Sequence, residues 1–292
     1  METLEKAYAK LNYSLDVNAR RPDGYHELTM VMGSVSLCDD VRVMLRKEGG
    51  FHAESNFPWL PGDERNLGIQ AAKAFFAAIG EERWGCDIRM KKRIPVGAGM
   101  AGGSTDAAAV LRALDRLTGS NLGAERLREL GLSVGSDVPY CVTGGMALAR
   151  GRGELLSPLR ELPECSIVIA KPAFSVSTGE LFRRIDGKKL RNHPDTAGLT
   201  AALEEGDLPG AARRMYNVFE DVLPRSSGEI RRIRSELLSA GAMGAIMTGT
   251  GSAVFGLFDR EEAARSAWEM LSKQYRECFL ARPIPALTIN EI

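Results

Sequence analysis

Apolar and polar residues alternate strictly near the start of the chain, from residue 7 to residue 17. One set is apolar or aromatic: Ala7, Ala9, Leu11, Tyr13, Leu15 and Val17. The other set is mainly polar: Tyr8, Lys10, Asn12, Ser14 and Asp16. Because successive side chains of a β-strand point to opposite faces, this pattern predicts a half-buried strand. The Pro-Asp-Gly triplet at residues 22–24 is typical of a tight turn, so Tyr25 and His26 lie just beyond it.

Other segments have the periodicity of strands or helices. Strand-like runs lie near residues 29–36, 41–46, 87–94, 243–247 and 253–258. Helical spacing occurs near residues 66–79, 178–185, 227–238 and 261–273, and in a stretch after Ser104 that ends at Gly119. The order of these elements is mixed, without the regular strand–helix alternation that builds a parallel sheet.

The chain is long enough for two domains, since its 292 residues exceed the common length of one domain, about 100–200 residues. Two prolines interrupt the periodicity near residues 156–165, just before the apolar run SIVIAKP. We therefore expect an N-terminal domain over residues 1–160, a C-terminal domain over residues 161–292, and a cleft between them.

Residues 95–109, PVGAGMAGGSTDAAA, join a glycine-rich stretch to a helical pattern that we expect Ser104 to cap. A loop that leads into a helix N-terminus can bind phosphate through backbone N–H groups and the positive end of the helix dipole. The spacing matches neither the P-loop nor the dinucleotide fingerprint GxGxxG. A purely structural turn is the alternative, although the strand-like run before the loop and the helix after it favour the phosphate interpretation.

Composition excludes few functions. Lys plus Arg and Asp plus Glu number 38 each, so the chain lacks the basic character of a typical nucleic-acid-binding protein. Five scattered cysteines without a CxxC pair favour reduced thiols over disulfides or a zinc site. No signal-peptide core and no apolar stretch near the ~20 residues of a membrane span are present. We expect a soluble, cytoplasmic protein.

Two polar residues are candidates for catalysis, each with a structural alternative. Lys10 shares a strand face with Asn12, but an exposed lysine is the common case. Asp137 lies in GSDVPY, where an aspartate often caps a helix or stabilises a turn. A second glycine-rich loop covers residues 248–252. It is either a loop that faces a ligand or an ordinary glycine-rich hairpin turn. The three histidines lack metal-ligand spacing, and no GxSxG segment supplies a serine nucleophile.

Four motifs follow one another along the chain: AKLNYSLDVNARRPDGYHEL, IPVGAGMAGGSTDAAA, GSDVPYCVTGG and IMTGTGSAVFGLF. Their order resembles the successive signatures of the galactokinase, homoserine kinase, mevalonate kinase and phosphomevalonate kinase (GHMP) superfamily, over roughly residues 7–258. The RPDGYHEL segment is similar to the branch that acts on 4-diphosphocytidyl-2-C-methyl-D-erythritol, whereas the glycine-rich loop is shared more widely.

The resemblance implies a two-domain α+β fold, with an N-terminal domain like the second domain of ribosomal protein S5 and a ferredoxin-like C-terminal domain. It also implies ATP-dependent phosphorylation of the 2-hydroxyl of that cytidyl substrate, in non-mevalonate isoprenoid precursor biosynthesis. ATP and Mg²⁺ are the implied cofactors. The implied partners are small molecules, without nucleic acid or membrane, and the oligomeric state stays open.

Roles in the family carry over to matching residues. Asp137 resembles the group that receives the proton of the 2-hydroxyl, and Lys10 the cation that orients and supports this carboxylate. Asn12 would hold the acceptor end of the substrate, and residues 248–252 would close the phosphate and substrate side. Four residues would line the cytidine pocket: Tyr25, His26, Thr178 and Phe182. The ATP phosphates would be held by Pro95, Val96, Gly97, Ala98, Gly99, Met100, Ala101, Gly102, Gly103, Ser104 and Thr105.

One residue near the C-terminal loop departs from the family pattern. Val218 stands after Asn217 where an aspartate is expected, which puts any role of that position in doubt. The identity of the metal ligands is open, with Ser104 and Thr105 as candidates.

Three other functions are alternatives to this assignment. A GHMP kinase that acts on mevalonate, homoserine or a sugar is one of them, and the RPDGYHEL segment disfavours it. A catalytically silent nucleotide-binding relative and an RNA-binding module are two others, disfavoured respectively by the Lys10 and Asp137 pair and by the zero net charge.

Overall fold

The structure, a computed structural model, describes residues 1–188 and 190–289. The strands are β1 (Glu2–Arg20), β2 (His26–Arg46), β3 (Phe51–Ser55), β4 (Gly85–Lys91), β5 (Ala147–Gly151), β6 (Leu155–Pro158), β7 (Ser166–Lys171), β8 (Tyr216–Asn217), β9 (Gly244–Met247), β10 (Val254–Phe258) and β11 (Glu277–Ala281). The helices are α1 (Leu67–Ala78), α2 (Gly102–Thr118), α3 (Gly123–Val134), α4 (Val138–Thr143), α5 (Thr178–Asp186), α6 (Thr196–Glu205), α7 (Leu208–Arg213), α8 (Gly228–Ser239) and α9 (Glu261–Ser272).

The strands form two sheets. The first has the order β3-β4-β2-β1-β8, with β5 paired to β2 and β6 paired to β5. The second has the order β11-β7-β10-β9, and all its neighbouring strands are antiparallel. With α8 between β7 and β9, and α9 between β10 and β11, this second unit has the βαββαβ arrangement of a ferredoxin-like domain. The expectation for the C-terminal part is therefore confirmed.

The change from one sheet to the other falls between β6 and β7, near the predicted break. However, the short strand β8 returns to pair in parallel with β1, through Ser14 and Leu15. The boundary at residue 160 therefore stays a prediction, because a cut there separates β8 from its sheet. The predicted C-terminal domain, 161–292, also includes positions 189 and 290–292, which lie outside the described residues.

Strand β1 is longer than predicted and is buried on both faces between residues 9 and 17. The prediction that this strand is buried on one face only is wrong, because β1 lies between the two halves of the molecule. Its register against β2 shifts between Tyr8 and Lys10 and again between Asn12 and Ser14. Such irregularities twist a strand and re-aim its side chains. The apolar set is accordingly divided: one core cluster contains Ala7, Leu15 and Val17, and another contains Ala9, Leu11 and Tyr13.

The second cluster joins the two sheets. Tyr13 of β1 meets Phe255 of β10 edge to face, with ring centroids 5.4 Å apart. Leu11 and Ile169 of β7 belong to the same buried cluster. Apolar contact of this kind holds the sheets at a fixed distance, so a cleft between them keeps its shape.

Four of the five predicted helices are confirmed to within two residues at each end, and the fifth, α2, begins three residues earlier than predicted. Asn66 caps α1 by accepting a hydrogen bond from the backbone N–H of Gly68 at 2.9 Å. Helix α2 ends at Gly119, which has a φ of 67° that glycine adopts without strain. Helix α2 is buried on every side from Thr105 to Asp115. Its apolar stripe predicted only one buried face.

All five cysteines are free thiols, as predicted from their spacing. Among the described residues, no helix has the combination of length and apolar composition that spanning a membrane requires.

Candidate active site

A cavity of about 790 Å³ lies in the cleft between the two parts of the chain. From the N-terminal part, its wall includes Lys10, the glycine-rich loop and Asp137. From the C-terminal part, α5 and residues 249–251 complete the wall. A cavity of this size is within the range of small-molecule sites, about 300–1,000 Å³.

The N-terminus of α2 opens into this cavity. The helix begins at Gly102, and the residue before it, Ala101, has a φ of 58° and makes no side-chain cap. The first backbone N–H groups of α2 therefore have no partner within the helix and are available to an anion. The expectation that Ser104 caps this helix is wrong, because Ser104 is its third residue and the turn at Ala101 starts the helix earlier.

The predicted phosphate-binding residues are distributed unequally over this surface. Residues 95–104 all line the cavity. Thr105 is 2 % exposed, and its hydroxyl donates a hydrogen bond to the carbonyl of Gly102 at 3.0 Å. Thr105 therefore stabilises the first turn of α2, while Ser104 is the hydroxyl that reaches the cavity.

The second glycine-rich loop packs directly on the first. Gly99 has a φ of 75°, and a Cβ atom there would lie 2.1 Å from the carbonyl oxygen of Thr248. The Thr248 hydroxyl donates to the carbonyl of Gly99 at 3.2 Å and accepts from the backbone N–H of Asn12 at 3.0 Å. Only glycine fits at residue 99, and β1 and the two loops form one rigid unit.

Asn217 holds this second loop from behind. Its amide group donates to the carbonyls of Met247 and Gly249, each at 2.8 Å, and its side-chain oxygen accepts from the backbone N–H of Phe219 at 3.0 Å. Val218, the departure from the family pattern, is fully buried in the core. The neighbouring asparagine therefore supports the loop without any carboxylate at residue 218.

Lys10 is a buried cation at the cavity wall, with only 4 % of its surface exposed. The alternative of a solvated lysine is therefore excluded. Its Nζ donates to Oδ1 of Asn12 at 2.5 Å, and Asn12 also donates to the sulfur of Met30 at 3.4 Å. Asn12 has no exposed surface and lies behind Lys10, so its visible role is to orient the ammonium group, and direct contact with a substrate stays a prediction.

Asp137 immediately precedes α4 and faces the same cavity. It occupies the N-cap position, but its carboxylate makes no capping hydrogen bond. The alternative of a capping aspartate is therefore excluded. Its partly exposed carboxylate is free to accept a proton or a hydrogen bond from a molecule in the cavity.

The four predicted pocket residues all line the same cavity. The ring of His26 stacks on Phe182, with centroids 4.5 Å apart and planes 24° apart. Tyr25 is half exposed, and the guanidinium of Arg152 lies 3.8 Å from its ring centre. The hydroxyl of Thr178 is 2.9 Å from that of Thr250, which links α5 to the second glycine-rich loop.

Comparison with known families shows which family the chain belongs to. Residues 66–145 match the profile described as GHMP kinases N terminal domain, and residues 199–277 match GHMP kinases C terminal. The chain belongs to the GHMP kinases. The first match contains α1, α2 and Asp137, so it includes the helix that presents the phosphate loop.

Curated relatives cover nearly the whole chain. A 4-diphosphocytidyl-2-C-methyl-D-erythritol kinase of Alkaliphilus metalliredigens is 42% identical over 277 residues, which is 95% of each chain. The corresponding kinase of Levilactobacillus brevis is 43% identical over 286 residues, covering 98% of this chain and 100% of the relative.

Solved structures agree on the fold. A 4-(cytidine 5'-diphospho)-2C-methyl-D-erythritol kinase is 32% identical and superposes with a TM-score of 0.80, covering 96% of this chain and 99% of the other. The L. major mevalonate kinase, 18% identical, has a TM-score of 0.74 and supports the fold alone. The predicted α+β fold of a two-domain GHMP kinase is confirmed.

Sequence reasoning missed a buried charge cluster beside the phosphate loop. Nζ of Lys92 donates to Asp39, to Oδ2 of Asp106 at 2.5 Å and to the carbonyl of Gly102 at 3.2 Å. Burial raises the pKa of Asp106 to about 7, opposed by Lys92. Burial by itself lowers the pKa of Lys92, but the two carboxylates offset this and leave it above its ordinary value. Lys92 follows the end of β4 and Asp106 lies in α2, so no local pattern in the sequence indicated this contact.

We expect Lys92→Met to lower the free energy of unfolding by about 3–5 kcal/mol near pH 8, because it leaves Asp39 and Asp106 buried without a cation. Loss of the cation raises the pKa of Asp106 further above its value in the unfolded chain, because Lys92 is the group that lowers it. The penalty therefore grows as pH rises through the acid range and is smaller near pH 5. Urea unfolding at both pH values measures it.

Lys91→Met is the matched control, since Lys91 is the exposed preceding residue and the last residue of β4. It is expected to change the free energy of unfolding by less than about 0.5 kcal/mol. Equal losses in the two variants, or a loss at residue 92 that does not depend on pH, would contradict the role given to the cluster.

Proposed function

We propose that this protein is an ATP-dependent kinase that phosphorylates the 2-hydroxyl of 4-diphosphocytidyl-2-C-methyl-D-erythritol. The reaction belongs to non-mevalonate isoprenoid precursor synthesis. The observation that carries the proposal is one cavity that joins three features: a helix N-terminus suited to phosphate, the Lys10 and Asp137 pair, and an aromatic end around His26 and Phe182. Curated relatives that carry the name of this kinase at 42–43% identity support the choice of substrate.

The features of the cavity wall suit two ligands bound together. The side that includes Leu60 and Leu67 is apolar and suits the flat adenine of ATP. The free N–H groups at Gly102 and Gly103 suit its phosphates. The stacked rings of His26 and Phe182 suit the cytosine base of the acceptor. The acceptor hydroxyl would then lie between the bases, next to Asp137.

Phosphoryl transfer asks the protein mainly for positioning and charge stabilisation. The Asp137 carboxylate receives the proton of the substrate 2-hydroxyl while the oxygen of that hydroxyl bonds to the γ-phosphorus of ATP. The bond from that phosphorus to the bridging oxygen breaks, and ADP leaves. Lys10, oriented by Asn12, holds positive charge at the reacting centre, where it acts most strongly as negative charge shifts in the transition state.

Mg²⁺ at phosphate sites is commonly held by one or two protein carboxylates together with phosphate oxygens and water. Of the two candidate ligands, Ser104 has its hydroxyl at the cavity wall and would contact the ion, whereas Thr105 is buried. When bound, the ion neutralises charge on the β- and γ-phosphates.

The direct test is an ATP-consumption assay with a panel of acceptor alcohols. We expect turnover with the cytidyl erythritol and little with mevalonate, homoserine or galactose. Preference for one of these other alcohols would replace the proposed substrate. ATP binding without turnover of any acceptor would favour a catalytically silent relative.

A second test concerns the phosphate loop. Gly103→Val is expected to raise the Kd for ATP about 10- to 100-fold, since a branched side chain at the exposed start of α2 blocks backbone contact with phosphate. The fold should persist, because a Cβ atom there meets only the side chain of Leu67, at 3.4 Å. Titration calorimetry with ATP and with the cytidyl substrate measures both affinities.

Gly228→Val is the matched control, because Gly228 also begins a helix, α8, and a Cβ atom there meets nothing within 4 Å. It should leave the Kd for ATP unchanged. An unaltered Kd in Gly103→Val would return the loop to a purely structural role.

A further inference from the structure

The side chain of His26 is held from two directions by one helix. Phe182 and Asp186 are four residues apart on α5, so they lie on the same face of the helix. Phe182 stacks on the face of the imidazole ring, and Oδ1 of Asp186 lies 2.7 Å from Nε2 at its edge. His26 begins β2, so this contact joins the two parts of the chain across the cavity.

The burial of the pair favours a specific role. The His26 side chain is 9% exposed and that of Asp186 is 30% exposed. Among the residues that the structure describes, the other cation that pairs with Asp186 is Arg20, which is 65% exposed and 3.8 Å away, a distance and exposure that make a weak ion pair. His26 is therefore the main partner of the Asp186 carboxylate.

The position of Asp186 is electrostatically unfavourable. It is the last residue of α5, where a negative charge opposes the helix dipole. Arg183 and Arg184 in the same turn are the residues that suit this end of a helix. The contact with His26 gives a reason for an aspartate at this unfavourable position.

We propose that Asp186 is a positioning residue that fixes the tautomer and orientation of His26 for recognition of the cytosine base. A carboxylate can only accept, so Nε2 of His26 carries the proton and Nδ1 of the neutral ring is an acceptor. The exocyclic amino group of cytosine is a donor, whereas uracil has a carbonyl oxygen at that position. This inference rests on the proposed function, because it takes the base to be cytosine.

Asp186→Ala is expected to raise the KM for the cytidyl substrate about tenfold, the effect of losing one hydrogen bond to a charged group. The kcat and the KM for ATP should stay within about twofold, and the preference over the uridyl analogue should fall by the same factor of about ten. Asp186→Asn keeps an acceptor oxygen at the same place and should restore most of the affinity. Steady-state kinetics with both nucleotide substrates measures these values.

Glu180→Ala is the matched control, since Glu180 is an exposed carboxylate on the same helix that pairs with Arg184. It should leave all three kinetic constants unchanged. An unaltered KM for the cytidyl substrate in Asp186→Ala would overturn the inference. An equal rise in the KM for the cytidyl substrate and for the uridyl analogue would also overturn it. That result would indicate only a loosened contact between the two parts of the chain.

A readout without substrate separates this inference from the proposed function. The chain has three histidines, so ¹⁵N–¹H spectra of the imidazole rings are simple to assign. We expect His26 of the wild type to be protonated at Nε2 and to become a mixture of tautomers in Asp186→Ala. If the wild type rejects the cytidyl substrate while this change occurs, the proposed function fails and the positioning of His26 by Asp186 stands. If turnover is normal and no tautomer change occurs, the inference fails.

Discussion

Asp137→Asn is expected to lower kcat by about two to four orders of magnitude while both substrates still bind. A positioned proton acceptor contributes about this much to a reaction that removes a hydroxyl proton. The amide has the shape of the carboxylate but cannot take up the proton. Because Asp137 makes no capping hydrogen bond to α4, the substitution removes no helix cap, so the fold should be retained. Rapid-mixing kinetics and calorimetric titration of ATP and the acceptor separate turnover from binding.

Asp259→Asn serves as the control for loss of one negative charge, since Asp259 is exposed and lies outside the cavity wall. Its kcat should equal that of the wild type. A kcat of Asp137→Asn within a few-fold of the wild type would remove Asp137 from the role of proton acceptor.

Lys10→Ala is expected to lower kcat by about two to three orders of magnitude, with a smaller change in KM. A charge held at the reacting centre stabilises the transition state more than the bound substrates, and the low exposure of Lys10 strengthens this effect. The bond from Lys10 to Asn12 keeps the ammonium in place before substrate binds. Steady-state kinetics with each substrate varied in turn measures kcat and KM separately.

Lys6→Ala is the matched control on the same strand. Lys6 is exposed, pairs with Asp40 and lies outside the cavity wall, in a groove that it shares with Arg93 and Trp268. Its loss should leave kcat unchanged. If Lys10→Ala raised only KM, Lys10 would be a residue that binds substrate rather than one that stabilises the transition state.

Much of the secondary structure could be predicted because its signals are local. Asn66 and Gly119 mark helix ends through the hydrogen bonding and backbone freedom of those residue types. The short elements α4, β5 and β6 could not be found in this way. Their few residues give no complete period, and their positions depend on strands that are distant in the sequence.

For the site, the sequence by itself determined the residue types: the glycine-rich loop, Lys10, Asp137 and the residues after the Pro-Asp-Gly turn. Their order was enough to indicate the GHMP kinases. The sequence did not determine that Lys10 is buried and faces the cavity. That depends on register shifts between β1 and β2, which are set by pairing across the sheet and not by local alternation.

Contacts between distant segments decided the rest. Thr248 meets Gly99, Lys92 meets Asp39 and Asp106, and His26 meets Asp186 only once the chain is folded. Packing of the two sheets brings these groups together, and periodicity within one segment has no information about a partner 53 or 160 residues away. Local pattern therefore determined which chemistry the chain carries, and the tertiary structure decided which charges and hydrogen bonds hold that chemistry in place, because burial and non-local packing set them.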